Sequence, residues 1–276
     1  MKSPVIVIGI GEMGSVFARG LLRSGHPVYP VTRHDDLDDV ARQLPSPELV
    51  VVAVAEKDLH PVLEKIPPAW QQRLCLLQNE LLPGDWRQYG FIKPTVISVW
   101  FEKKKGQDVK VLIPSPAYGP AAELLKSSLG SLDIAVRILA SESELLFELV
   151  LKNVYIVTTN CAGLKAGGSV SELWENQREL AETVANEVIG IQAALTGESF
   201  QPDQLIKAML AAFDGDPEHG CMGRSAAARL ARALQQADAA GLAIPCLREI
   251  AASRADIGQT HQDHSHAAPR TPLSSP

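Results

Sequence analysis

The first half of the chain alternates short apolar runs with amphipathic stretches, and the second half reads as helix almost throughout. Val5-Ile6-Val7-Ile8 is a β-branched run that ends in Gly9-Ile10-Gly11-Glu12-Met13-Gly14, and residues 15–22 follow as a helix closed by Gly25. Val28 to Arg33 reads as a second strand. Residues 49–55 are continuously apolar, as expected of a parallel strand buried on both faces. A helix is predicted near 57–65 and a strand over 73–77. Residues 95–101 and 109–113 flank a polar, glycine-bearing segment and predict a β-hairpin, with Lys103-Lys104-Lys105 as a solvated tip. A helix at 118–129 and a strand at 132–138 complete this half.

Alternating strand and helix predict an α/β fold, a doubly wound parallel sheet of Rossmann type, over residues 1–140. From Ser141 the pattern is helical, broken near Gly167-Gly168, Gly197 and 214–220, which predicts a second, all-helical domain over 141–258. Residues 259–276 are polar and proline-bearing and are expected to be a disordered tail, whose His261, His264 and His266 are read as tail residues rather than a metal site. Ligands of such sheets sit beyond the carboxyl ends of the strands, so the expected substrate site is the cleft between the halves.

The glycine run is the strongest chemical signal. Gly9 permits the tight turn out of the strand, Gly11 lets a pyrophosphate approach the backbone, and Gly14 lets the helix pack closely. The unpaired N–H groups of the following helix face the phosphates. Ile10, Glu12 and Met13 complete the expected cradle. At the end of the second strand, where an NAD site carries a carboxylate for the ribose, the chain has Thr32 and Arg33. A guanidinium there binds a 2′-phosphate, so NADP(H) is the expected cofactor, with Arg33 as main contact and Thr32 assisting. Asp35 keeps open the alternative of a ribose acceptor, should the strand run longer.

Composition narrows the class. The chain has 276 residues, 46% of them hydrophobic, and a formal net charge of -6, which argues for a globular core and against broad nucleic-acid binding. The cysteines at 75, 161, 221 and 246 have no metal spacing and read as reduced thiols, so a cytoplasmic protein without a metal is expected. Met1 to Pro4 leads straight into a strand, which leaves no room for a signal peptide, and the apolar run 49–55 is too short to span a bilayer, so no membrane role is expected.

Three further segments carry candidate chemistry. Asn79 ends a parallel strand at the ligand edge, where it either bonds a ribose or substrate or caps the next helix. Glu144, Glu148, Lys152, Ile156 and Asn160 recur at steps of four along one helix. Lys152, amid Leu149, Val150, Leu151 and Val154, must snorkel, pair with Glu148, or face a cleft. A desolvated lysine suits the general acid that a carbonyl reduction requires, and Asn160, two turns on, would orient the substrate. Arg224 and Ser225 suit a substrate carboxylate. The acidic loop with Asp214, Asp216, Glu218 and His219 reads as a turn rather than a metal loop.

Taken together, these segments resemble the ketopantoate reductase family, the 2-dehydropantoate 2-reductase-like proteins. The resemblance is carried by Gly9 to Gly14, by Arg33, by Gln78-Asn79 where the family has Gln-Asn-Gly, and by Lys152 with Asn160. Gly241 to Pro245 is similar to the family's late helix exit. It implies an NADP-binding Rossmann domain, a helical second domain, and Lys152 as catalytic lysine. Ile156 replaces the family's middle asparagine, Ala55 its lysine after the third strand, and Glu80 its glycine, while its substrate serine falls near Cys221. The reading is an NADPH-dependent reductase of a small 2-oxo acid or related carbonyl, with a carboxylate-bearing substrate. A nucleotide-binding sensor without turnover and an imine or opine-type reductase are the alternatives. A homodimer through the helical domain is expected from fold analogy alone.

Overall fold

The computed structural model describes residues 2–263, with side chains described as far as Arg254. Its first half runs β1 (Val5–Ile8), α1 (Glu12–Arg23), β2 (Val28–Val31), α2 (Leu37–Gln43), β3 (Leu49–Val52), α3 (Leu59–Leu63), β4 (Leu74–Leu76), α4 (Pro83–Arg87) and β5 (Thr95–Ile97). Then come β6 (Phe101–Glu102), β7 (Lys110–Val111), β8 (Ser115–Tyr118), α5 (Ala122–Gly130) and β9 (Val136–Ile138). Six helices follow: α6 (Glu142–Ala166), α7 (Val170–Asn176), α8 (Arg178–Thr196), α9 (Pro202–Gly215), α10 (Ala226–Ala240) and α11 (Pro245–Asp263).

Seven strands form one sheet in the order β2-β1-β3-β4-β5-β8-β9. β1 pairs in parallel with β2 and β3, Val5 opposite Val28 and Leu49, and β4 and β5 extend the parallel part. The continuous apolar runs have their cause here: every residue of β1 and β3 is buried. α1 and α5 cover one face through Val16, Phe17, Leu21, Leu125 and Leu129. Their backbones meet at Gly20, where a Cβ would lie 2.7 Å from the Ser128 carbonyl oxygen.

The sheet is not wholly parallel. β8 runs antiparallel to β5, and β9 runs parallel to β8. Ser115-Pro116-Ala117-Tyr118 has no apolar run and contains a proline, so its pattern hides a strand that only its neighbours define. The predicted hairpin is real but smaller: only two residues of each arm pair, Phe101 with Val111 and Glu102 with Lys110, while Thr95–Ile97 stays in the main sheet. Its lysine tip is not simply solvated, because Lys103 turns back to Glu12 at 3.1 Å.

The chain divides into two compact units, one of residues 1–156 with 196–217, the other of 157–195 with 218–276. α9 therefore belongs with the sheet, whereas the sequence pattern changes at 140. In the second unit, Gly167 and Gly168 take positive φ of 67° and 73° after α6, and Ser169 with Glu172 forms a capping box that starts α7. Glu187 of α8 accepts hydrogen bonds from the Cys246 and Leu247 N–H groups at the start of α11. α11 continues to Asp263, so residues 259–263 are helical rather than tail; the remainder of the expected tail, with His264 and His266, lies outside the described residues. α6 is long and apolar enough to cross a membrane by length and composition alone, but 83% of that window is buried inside the protein, as in a core helix.

Candidate functional site

The turn after β1 has the backbone that its glycines allow. Gly9 has φ +91°, and a Cβ on it would meet the Ala53 carbonyl oxygen at 2.8 Å. A Cβ on Gly14 would sit 1.9 Å from the Gly9 carbonyl oxygen, so the first turn of α1 packs on the glycine turn itself. Gly11, by contrast, has open space within 4 Å. It is exposed, has no Cβ, and precedes the helix with no side-chain cap on the first N–H groups. A helix N-terminus open in this way can accept an anion. Glu12 and Met13 open α1, with Glu12 held by Lys103.

A cavity of about 870 Å³ opens beside this turn, lined by Gly9, Ile10, Gly11, Thr32, Arg33 and Ala55 among others. β2 ends at Val31, before Arg33. Asp35 folds back on the turn: its Oδ2 accepts from the Thr32 N–H at 2.7 Å and from Thr32 Oγ1 at 2.8 Å. These bonds hold its carboxyl below the usual range, the backbone bond contributing most. Asp35 thus serves as the staple of the turn, and Arg33 is the exposed charge at the end of the strand. Lys57 and Lys65 line the same cavity and were not singled out by sequence reasoning.

At the carboxyl edge of β4, Gln78 is buried and ties two strands together. Its Nε2 donates to the Val52 carbonyl at 2.7 Å and its Oε1 accepts from the Leu77 N–H at 3.1 Å. Asn79 donates to Glu56 at 3.0 Å, across the ends of β3 and β4. Asn79 is not among the residues lining the cavity beside the glycine turn. Glu80 has a left-handed backbone, with φ 60°.

Lys152 is half-buried on α6 with its Nζ 4.0 Å from the centroid of the Trp100 ring and 5.5 Å from that of Tyr155. Trp100 is fully buried just beyond β5, and its ring meets Tyr155 edge-on at 5.0 Å. Glu148, the expected surface partner of Lys152, is instead the acceptor for Arg137 of β9. The arrangement stabilises an ammonium over an aromatic face by cation–π attraction. Ile156, one turn on, is buried.

Asn160 lies in the second unit, 8% exposed, and its Oδ1 accepts from Arg229 Nη1 at 3.1 Å. Arg224 is exposed and Ser225 precedes α10; the side chain of this segment that reaches Asn160 is Arg229, one turn into the helix. Its signal was present in the sequence: Ala226, Arg229, Leu230, Ala233 and Ala237 form the buried stripe of α10, and an arginine in such a stripe needs a partner. Cys221 packs on α6 where Gly163 leaves room, since a Cβ on Gly163 would meet Cys221 Cβ at 2.8 Å. Burial, with the Glu172 charge adding, pushes its thiol up to about 11, so at neutral pH it is a neutral, weakly polar group.

No protein-family model and no curated protein sequence matches the chain. Solved structures do. A 2-dehydropantoate 2-reductase from Methylococcus capsulatus is 14% identical, with a TM-score of 0.67 over 93% of this chain and 97% of that one. A dimeric ketopantoate reductase from Staphylococcus aureus is 18% identical, with a TM-score of 0.64 over 93% and 99%. A complex of D-mandelate dehydrogenase with NADH is 16% identical, with a TM-score of 0.63 over 92% and 99%. The chain has the fold shared by ketopantoate reductases and D-mandelate dehydrogenase, as a divergent sequence on that scaffold.

Proposed function

We propose that the chain is an NADPH-dependent reductase of a small 2-oxo acid. The observation that carries this reading is the uncluttered Gly11 cradle, which opens on a cavity of about 870 Å³ whose rim bears Arg33, Lys57 and Lys65. Gly9 to Gly14 and the first N–H groups of α1 would hold the pyrophosphate, and Ala55 would flank it. Arg33, with Thr32 beside it, would hold the 2′-phosphate, because Asp35 is engaged with Thr32. When bound, the cofactor supplies the hydride. Lys152 Nζ then gives a proton to the carbonyl oxygen as charge develops there, and the Trp100 face keeps the ammonium in place before transfer. Asn160 orients the substrate and Asn79 the ribose. Arg224 and Ser225, beside Arg229, supply charge and a hydroxyl for a carboxylate. The oxidoreductase activities named for the structural neighbours support the same class, and the dimeric neighbour supports a homodimer.

The test is NADPH oxidation followed by absorbance across a panel of 2-oxo acids, with Lys152→Ala as control. Turnover that falls roughly a hundredfold or more in the variant supports the assignment. The buried Ile156, in place of a polar residue between Lys152 and Asn160, favours a second reading: a nucleotide sensor. NADPH binding without reduction of any panel member would select it.

A further inference from the structure

The contact between Arg229 and Asn160 says which kind of atom the substrate presents, given the reading above in which Asn160 meets substrate. A guanidinium carries donors only, so a side-chain amide facing it must turn its oxygen inward. Arg229 Nη1 lies 3.1 Å from Asn160 Oδ1, and each residue is 8% exposed. The opposite orientation would set amide N–H groups against a buried cation. Gly223 passes near the same oxygen, since a Cβ placed on it would come to 3.5 Å, an ordinary contact distance. With Oδ1 committed, Asn160 Nδ2 is the remaining polar atom of the side chain, and it has no partner among the described residues. That atom offers two N–H donors and no acceptor.

We infer that Arg229 is a positioning residue that makes Asn160 a donor-only contact, and that the substrate atom it meets is an acceptor oxygen. A 2-oxo acid provides one in its carbonyl and another in its carboxylate. A protonated imine offers none at its reacting carbon, because its nitrogen presents N–H to the site, where a donor-only amide repels it. Where Asn160 meets the reacting carbonyl oxygen, the pair selects oxo acids over imines on this scaffold; where it meets the carboxylate, an imino acid fits equally. Placing the arginine on the buried stripe of α10 serves this role, because a surface arginine would leave the amide free to turn.

The experiment compares the wild type with Asn160→Asp, Arg229→Met and Arg229→Lys. Asn160→Asp keeps the side-chain volume and the Arg229 contact but replaces the donor by an oxygen. The readouts are kcat and KM for the best 2-oxo acid of the panel, the Kd of oxamate on the enzyme–NADP+ complex, the Kd of NADPH, and Tm. In Asn160→Asp, KM and the oxamate Kd rise roughly 30-fold or more, while the NADPH Kd stays within about twofold and Tm does not fall. A rise in KM at constant kcat assigns the contact to the carboxylate, and a joint fall in kcat and kcat/KM assigns it to the carbonyl oxygen. Arg229→Met raises KM roughly five- to tenfold, and Arg229→Lys, which retains a donor, recovers most of the loss. The inference is overturned if Asn160→Asp binds oxamate as the wild type does while the wild type reduces a 2-oxo acid. If the kinetics assign the contact to the carbonyl oxygen, it is equally overturned by a wild type that reduces a cyclic imine such as 1-pyrroline-2-carboxylate faster than any 2-oxo acid. A wild type that binds NADPH yet neither reduces a 2-oxo acid nor binds oxamate ends the functional reading itself, and this inference with it.

Discussion

Replacing Arg33 by alanine should separate the two nicotinamide cofactors. Arg33 is exposed at the end of β2, so its bond to a 2′-phosphate works partly through solvent. A hydrogen bond to a charged group contributes about 1.5–3 kcal/mol, and exposure places this one in the lower half of that range. Loss of about 1.5–2 kcal/mol corresponds to a roughly 10–30-fold weaker Kd for NADPH. Lys57 and Lys65 line the same cavity and stay in place, so some attraction for the phosphate survives. NADH has no 2′-phosphate, and its Kd should move less than about twofold by the same arithmetic. Fluorescence titration of both nucleotides at low and high salt checks this, because the wild-type NADPH affinity should also show the steeper salt dependence. Equal weakening of both nucleotides, or a wild type that prefers NADH, would refute the assignment. Asp35→Ala is the companion variant. It removes the staple on Thr32 and should weaken both cofactors together, whereas a ribose acceptor would show its loss mainly with NADH.

The glycines make opposite predictions. Gly14→Ala forces a Cβ to 1.9 Å from a carbonyl oxygen and should cost about 3 kcal/mol or more, visible as a Tm lowered by several degrees. Gly11→Ala meets nothing within 4 Å and has an ordinary φ of -79°, so it should melt like the wild type while NADPH binding weakens at least roughly tenfold. Lys152→Met should lower kcat by about 10²–10⁴ with the NADPH Kd unchanged in titration. Glu80→Gly relieves a left-handed φ of 60° and should stabilise the fold by about 1 kcal/mol in thermal or urea unfolding. Cys75, Cys161 and Cys221 are buried and Cys246 is partly exposed, so a native thiol titration should modify Cys246 first, but slowly, because burial and the charges of Glu187 and Glu249 raise its thiol pKa.

Much of the nucleotide half was legible because its determinants are local. A β-branched run, a glycine turn and a helix are specified by backbone sterics within some twenty residues, and the structure shows Gly9 in the tight turn, Gly14 packed against it, and Gly11 with open space around it. The charge at the end of β2 was legible for the same reason, although the engagement of Asp35 with Thr32 depends on where the strand stops. The parts decided by tertiary structure are those in which residues far apart compete for one partner. Helix periodicity allowed Lys152 to pair with Glu148; Arg137 on β9 takes that carboxylate, and Trp100 beyond β5 provides the face under the ammonium. β8 has no pattern of its own and exists because β5 and β9 offer it hydrogen bonds on both sides. Arg224 and Arg229 are five positions apart, which places them on different sides of the chain, and only packing shows that the second is the buried one. Sequence alone determined the glycine turn, since its energy is local backbone energy. Tertiary structure decided which polar groups meet, since burying a charge demands a particular partner that periodicity cannot name.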